Sequence, residues 1–472
     1  MNSKNKILSV VSMLIAASGI YAAPLDGQVM LSEENSAWLV YNKDDNGDGK
    51  PDPCYLAGPG GPEGFFYSDF PPDMTPDKAI DFIIEHGGNV MVMHAVMGIN
   101  GQGDLGNDAN PLSNGVLDEQ KMKQWDTWIK KMGDAGIIAY LRFYDDGIKH
   151  LGDDFIKSFV KRFMHHWNII WDICEECNEG GLNIANVTKL IKDTDEHDHL
   201  VGAESPDKAV DIYTPQGEAA TPDDLHKDAL NEYKNADGNF CVLMAGHHYF
   251  TPGQGDKTRM SADKVRQGVW ALVTAGTHFA NHGLWEQSKN RVGPTPEECT
   301  YNRYCYEYME TIHDFCSMKP NDAVIKSGKG CAIGTNSHYV IYMLSGGNIT
   351  IDLSAASGAL NVEWYNPRTG KRTSSSDVAG GKEQSFSAPD NNDWVLQISS
   401  KAITSARYKS LSNYTIDGRR AYKKIFSIPG PQHAAYPIAI YNLRGALVNH
   451  STDLSIHQTK ASGIWAIIPQ KK

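Results

Sequence analysis

The feature that most narrows the fold of this chain is an alternation, from about residue 52 to residue 282, of short apolar runs with longer helical patterns. Strands are expected near Cys54–Gly58, Asn89–His94, Ile137–Tyr144, Asn168–Cys174, Leu200–Ala203, Val210–Tyr213, Phe240–Ala245 and Thr277–Ala280. Helical patterns lie between them over Pro76–Glu85, Glu119–Met132, Asp154–His165, Ile184–Asp195, Pro222–Lys234 and Ala262–Thr274. Phe155, Phe159 and Phe163 recur at a helical interval, so that face must pack against a sheet. Eight strands alternating with helices over ~230 residues are what a closed parallel (β/α)₈ TIM barrel requires. A doubly wound open sheet is the alternative. The Gly58-Pro59-Gly60-Gly61-Pro62 turn argues against it, because two prolines remove backbone donors that a phosphate cradle would need.

After a cysteine-bearing connection at roughly 290–320, the hydrophobic period changes to two. Ile349–Ser354, Val362–Tyr365 and Asp393–Ile398 alternate, with a turn at Asn366–Gly370. An antiparallel β-sandwich of ~80 residues is expected here. Further short strands follow at Ala439–Tyr441 and Ile464–Ile468. The expected division is a signal peptide (1–23), barrel (24–315), sandwich (316–400) and small C-terminal β module (401–472).

The leader rests on Lys4 and Lys6, the apolar run Ile7 to Ala17, and the small residues Ala22 and Ala23. That run is shorter than the roughly 20 residues that span a bilayer, and no later stretch is long and apolar enough. A secreted or surface-attached protein without a transmembrane segment is expected. Net charge is −13, unevenly distributed. Residues 401–472 carry eleven Lys and Arg against two Asp and Glu, so the remainder is strongly acidic. An acidic body argues against a nucleic-acid partner. The eight cysteines of an exported chain permit disulfides, and Cys299–Cys305 and Cys316–Cys331 are plausible neighbours. Cys174-x-x-Cys177 reads as zinc or redox chemistry, without a second pair at zinc-like spacing.

Barrel sites lie at the C-terminal strand ends. Those ends carry Glu63, His94, Asp145, Asp146, Glu175, Glu176, Glu204, His247, His248, His278 and Glu286. The sharpest signal is Asn168-Ile169-Ile170-Trp171-Asp172-Ile173-Cys174-Glu175-Glu176. It resembles the strand-four end of the large clan of barrel glycoside hydrolases, whose Asn-Glu there provides the acid/base. Tyr144-Asp145-Asp146, His165-His166-Trp167, Arg266–Leu272 and the Trp364-Tyr365-Asn366-Pro367…Asp393-Trp394 segment extend the likeness to apiosidase-like barrels followed by a collagen-binding-like sandwich. The resemblance covers about residues 50–400. It implies Glu176 as acid/base, with Glu175 in the place of the clan's Asn.

Two adjacent carboxylates cannot both ionise cheaply in a closed cleft, so one is expected to hold a proton and donate it to a leaving oxygen. Asn178-Glu179 offers a second Asn-Glu in poorer register. The clan's strand-seven nucleophile is missing, because this strand ends Met244-Ala245-Gly246-His247-His248-Tyr249. Either Glu286, Glu204 or Asp146 supplies the second carboxylate, or the mechanism is inverting with a water, or the barrel no longer hydrolyses. Asp145, Asp146, His94, Glu204, His247, His248, Tyr249 and Trp285 are candidate substrate-binding residues. Tyr144 and Trp167 also lie near strand ends. The His247–His248 pair offers metal ligation as an alternative.

Asp44-x-Asn46-x-Asp48-Gly49 matches the start of a calcium loop, though Tyr55 replaces the twelfth-position Glu. A solvated acidic turn and a structural calcium at Asp44, Asn46 and Asp48 are the two readings, and no cofactor is expected for catalysis. The basic tail, with Ala439–Gly445 and Gly463–Ile468, resembles C-terminal sorting modules read by export machinery. Electrostatic attachment to acidic polysaccharide is the other reading. The expectation is a monomeric, secreted glycoside hydrolase acting on a polysaccharide. The rival is a catalytically inactive glycan-binding or adhesion protein on the same scaffold, and a polysaccharide lyase is a third reading.

Overall fold

The structure is a computed structural model. It describes residues 22–59, 74–95, 112–113, 116–144, 152–174, 177, 182–215, 219, 221–245, 261–280, 285–286 and 291–400, with strand residues 411–416, 419–424, 438–442, 447–451 and 465–469. Residues 1–21 of the leader lie outside these residues. The chain divides into two units, 1–403 and 404–472.

The first unit opens with an antiparallel sheet of β1 (Val29–Leu31), β2 (Leu39–Tyr41) and β3 (Asp52–Cys54). The barrel follows as β4 (Ala57–Gly58), α1 (Pro76–His86), β5 (Val90–His94), α2 (Glu119–Asp134), β6 (Ile138–Tyr144), α3 (Asp153–Phe163) and β7 (Ile169–Cys174). It continues with α4 (Ile184–Thr194), β8 (Val201–Ala203), β9 (Ile212–Tyr213), α5 (Pro222–Ala236), β10 (Cys241–Ala245), α6 (Ala262–Thr274), β11 (His278–Ala280) and α7 (Pro296–Met309). The parallel sheet runs β4-β11-β10-β9-β8-β7-β6-β5. Asn89 joins its two ends. Its backbone N–H donates to Ala57 O (3.2 Å), while its side chain accepts from Ala57 N (2.9 Å) and donates to Tyr55 O (2.8 Å).

Apart from α3, which starts after Gly152, these helices begin where a side chain satisfies a first-turn N–H. Thr75, Asp118, Asn183, Thr221, Ser261 and Thr295 all do this. The expected connection at 290–320 is in fact largely helical. Thr295 and Glu298 form a reciprocal capping box, and Pro296 occupies the first turn of α7. Cys54 belongs to the capping sheet, not to the first barrel strand, because it pairs with Leu39.

Strand periodicity sorts the side chains. Val90, Val92, Ile138, Tyr140, Ile170, Ile212, Cys241 and Leu243 fill the barrel, with Val29, Leu39 and Leu56 closing its N-terminal end. The opposite faces of the strands carry Met91, Leu141, Phe143, Trp171 and Ile173 to the helices. The Phe155–Phe159–Phe163 stripe of α3 meets Phe143, Trp171 and Trp125 there, as its spacing requires.

The sandwich has a large sheet in which β12 (Lys319–Pro320), β14 (Cys331–Gly334), β15 (His338–Met343), β21 (Trp394–Ser399), β17 (Ala359–Asn366) and β18 (Lys371–Ser374) follow one another, with β19 (Val378–Ala379) on β17. The small sheet runs β13 (Ile325–Ser327), β16 (Asn348–Asp352), β20 (Glu383–Ser387). The large sheet is buried on both faces. Tyr339, Ile341, Leu360, Trp364, Leu396 and Ile398 face the small sheet, whereas Val340, Tyr342, Tyr365 and Val395 face the barrel helices. Trp270 of α6 lies between Tyr308, Tyr342 and Tyr365 (centroids 5.4, 6.0 and 5.8 Å). Arg266 forks onto Asp393 (2.8 and 3.1 Å), and Tyr342 donates to the same carboxylate.

The second unit contains the hairpin Leu411–Ile416/Arg419–Lys424 and an antiparallel sheet with Ile438–Asn442 between Leu447–Ser451 and Trp465–Pro469. No helix among the described residues is long and apolar enough to cross a membrane.

Candidate active site

Toward the C-terminal end of the barrel the inward positions change from aliphatic to polar. His94, Arg142 and Asp172 stand at equivalent registers of β5, β6 and β7, and Gly202 of β8 is level with Asp172. Arg142 Nε donates to Asp172 Oδ2, and both side chains are fully buried. His94 Nε2 lies 3.4 Å from Arg142 Nη1. A methyl group on Gly202 would stand 2.0 Å from the Tyr140 hydroxyl and 3.3 Å from Asp172 Oδ1. The missing side chain is therefore what lets Tyr140 reach across. Burial, with the Asp172 charge adding to it, holds the Tyr140 phenol well above its usual range, so it remains a neutral donor. The hydroxyls of Tyr140 and Thr214 are buried without a hydrogen-bond partner among the described residues. A charged, hydroxyl-lined floor thus closes the barrel beneath its mouth.

At the rim Tyr144 pairs with Cys174, the last residue of β7. Cys174 is disulfide-bonded to Cys177 (Cα–Cα 5.3 Å). The Cys-x-x-Cys is thus a disulfide and not part of a zinc site, and Glu175 and Glu176 are the two residues between the bonded cysteines in sequence. Cys299, Cys305, Cys316 and Cys331 are free thiols, so the two pairings expected from sequence are also corrected. Cys299 and Cys305 are six residues apart on α7, a spacing that puts them on different faces of the helix.

Of the expected site residues, His94 and Glu204 lie at C-terminal strand ends. Glu204 follows β8, is half-buried, and its N–H donates to Cys174 O at 3.3 Å, beside the end of β7. Trp285 and Glu286 form a short antiparallel pair with Arg291–Val292. Glu63, Asp145, Asp146, Glu175, Glu176, Asn178, Glu179, His247, His248 and Tyr249 lie outside the described residues.

Two expectations fail. His278 begins β11 and does not end it. It stacks on Tyr55 (5.1 Å), accepts from Leu56 N (3.0 Å), and burial lowers its pKa to about 3. Trp167 precedes β7 and lies at the opposite end of the barrel, against Gly27. Sequence reading missed the Arg142–Asp172 pair. Its signal was one charge of each sign inside adjacent apolar strands, a pattern that only a buried pair tolerates.

The acidic loop lies between β2 and β3, at the barrel end opposite the mouth. Asp44 accepts the N–H groups of Gly47, Asp48 and Gly49. Asn46 accepts Asp48 N, Asp48 accepts Lys50 N, and Asp52 accepts Asp45 N and the Asn46 amide. These oxygens are gathered in one turn, and oxygen is the donor type that a hard cation needs.

Comparison with known proteins defines the class of this fold. Solved structures described as a glycoside hydrolase (17% identity, TM-score 0.60, 81% of this chain and 100% of the other) and as a glycoside hydrolase family 5 protein from Bacteroides vulgatus (17%, 0.62, 82% and 97%) share it. The fold is that of the glycoside hydrolase TIM barrels with a C-terminal β-sandwich. Residues 321–399 match the family described as "Putative collagen-binding domain of a collagenase". A sequence comparison with curated proteins finds no match.

Proposed function

We propose that this protein is a secreted glycoside hydrolase that cleaves O-glycosidic bonds of a polysaccharide by carboxylate acid/base catalysis. The observation that carries the reading is the end of β7. The strand finishes at the rim over a polar floor, and the next two residues in sequence are Glu175 and Glu176, within the disulfide. Glu176 acts as the acid, and Glu175 tunes it or binds a sugar hydroxyl. Glu286, Glu204 or Asp146 provides the second carboxylate, and the bond from Glu204 N to Cys174 O supports Glu204 as a neighbour of the acid. His94, Asp145, His247, His248, Tyr249 and Trp285 hold the sugar. Export follows from the leader, and the basic tail serves sorting or attachment. An accessory calcium at Asp44, Asn46 and Asp48 stabilises the β2–β3 turn, and chelation is expected to lower the melting temperature.

The second reading, a glycan-binding scaffold without catalysis, is favoured by the end of β10, where Ala245 precedes Gly246 and His247 with no carboxylate. Sugar release from a polysaccharide panel separates the two readings. Glu176→Gln is expected to lose release by on the order of 10²–10⁴. If the wild type cuts nothing, yet both it and Glu176→Gln are retained equally on one polysaccharide, the scaffold reading holds.

A further inference from the structure

Asp126 of α2 and the dipeptide His165-His166, which follows α3, converge on the outer helical layer of the barrel. Asp126 Oδ1 lies 3.0 Å from His166 Nε2 and 3.8 Å from His165 Nε2. One donor atom from each residue falls within 4.8 Å of the other two. Ligands bound at zinc-like lengths around a tetrahedral ion stand roughly 3.3 Å from one another. The two Asp126–imidazole spacings bracket that value, and the three donor atoms, all within 4.8 Å of one another, can supply three corners of a tetrahedron once the side chains adjust. We propose that Asp126, His165 and His166 bind a divalent transition ion of the zinc class, with water as the fourth ligand.

Several features of the surroundings agree. The His165 side chain is 59% exposed, which leaves a solvent path for the fourth ligand. Arg162 pairs with the other carboxylate oxygen, Oδ2, and so orients Oδ1 toward the imidazoles, as outer-shell partners of metal sites do. The dipeptide follows the last turn of α3, whose carbonyl end attracts a cation. Two imidazoles and one carboxylate suit zinc, nickel or copper, and are poor for calcium or magnesium. A bound ion would tie α2 to the turn that enters β7, remote from the C-terminal strand ends, so the site stands apart from the catalytic reading. The similar trio His313, Asp314 and His338 lacks this opening. His338 Nδ1 bonds Asp314 at 2.6 Å and its Nε2 faces the Gln397 amide at 2.8 Å, so both ring nitrogens are engaged.

The test is calorimetric titration of the purified full chain with zinc chloride at neutral pH, for wild type, His165→Ala and Asp126→Asn. Melting without zinc shows that the variants fold, and His165, being exposed, is the safer substitution. Loss of a direct ligand is expected to weaken zinc binding by at least the ~10-fold that outer-shell changes cause. Zinc is also expected to raise the melting temperature of the wild type and not that of His165→Ala. Absence of zinc uptake by the wild type, or equal affinity in wild type and both variants, would overturn the assignment. Equal affinity would place the ion at other histidines.

Discussion

Arg142 and Asp172 are opposite charges placed inside a barrel whose other inward residues are mostly aliphatic or aromatic. Neither side chain reaches water, and each supplies the other with an opposite charge inside the barrel. Asp172→Asn should leave the guanidinium buried and weakly compensated, and destabilise the fold by about 3–5 kcal/mol. Replacing both residues together, Arg142→Met with Asp172→Leu, should cost much less. Chemical denaturation of the three variants checks this. Additive losses would mean that the pair does not act as a unit. Gly202 belongs to the same small network, since any side chain there would collide with the Tyr140 hydroxyl.

The β7 strand and its disulfide form the element on which the proposed chemistry depends. A bond between residues three apart closes a very short loop, for which the entropic model gives a stabilisation of only about 2 kcal/mol. Its larger effect is expected to be local, since Glu175 and Glu176 lie between the bonded cysteines in sequence. Reduction, or Cys174→Ser with Cys177→Ser, is expected to lower sugar release about tenfold or more, while the melting temperature falls by only a few degrees. Equal activity of the oxidised and reduced proteins would remove the disulfide from the catalytic account. The α6 helix is a second element with a double task. One face completes the barrel, and Arg266 and Trp270 dock the sandwich.

At the scale of the whole first unit, a histidine helps to join barrel and sandwich. His226 of α5 faces the Ala271 carbonyl through Nδ1 (2.8 Å) and the Asp322 carboxylate through Nε2 (2.9 Å), so both nitrogens must donate. Burial opposes its charge, but the bonds to Asp322 and Cys331 outweigh burial and raise the pKa to about 10. The folded value lies above the ordinary one of 6.5. The resulting stability is therefore fully present below pH 6.5 and is lost as pH rises through about 10. The melting temperature should fall across this interval, and His226→Gln should flatten the slope. An unchanged slope in the variant would assign the effect to other groups.

Much of the architecture was legible before any coordinates. The near-continuous apolar runs of Val90–His94 and Ile138–Tyr144, buried on both faces, and the 3.6 period in α3 follow from which faces must leave water, and that demand is written residue by residue. Helix starts were partly legible too, since Thr75-Pro76 and Thr221-Pro222 carry their own capping chemistry. The Thr295-Pro296-Glu297-Glu298 start of α7 had the same signal and was passed over as connection. The C-terminal strand ends were legible as a barrel rim, which is why Glu175 and Glu176, directly after β7 in sequence, stand as candidates. What the sequence could not determine is partnership across the chain. Arg142 meets Asp172, and His278 stacks on Tyr55 and accepts from Leu56 N, because neighbouring strands bring these groups to one level in space. Side-chain contacts of that kind depend on register and closure. Both arise only when the whole sheet curls and Asn89 joins its two ends.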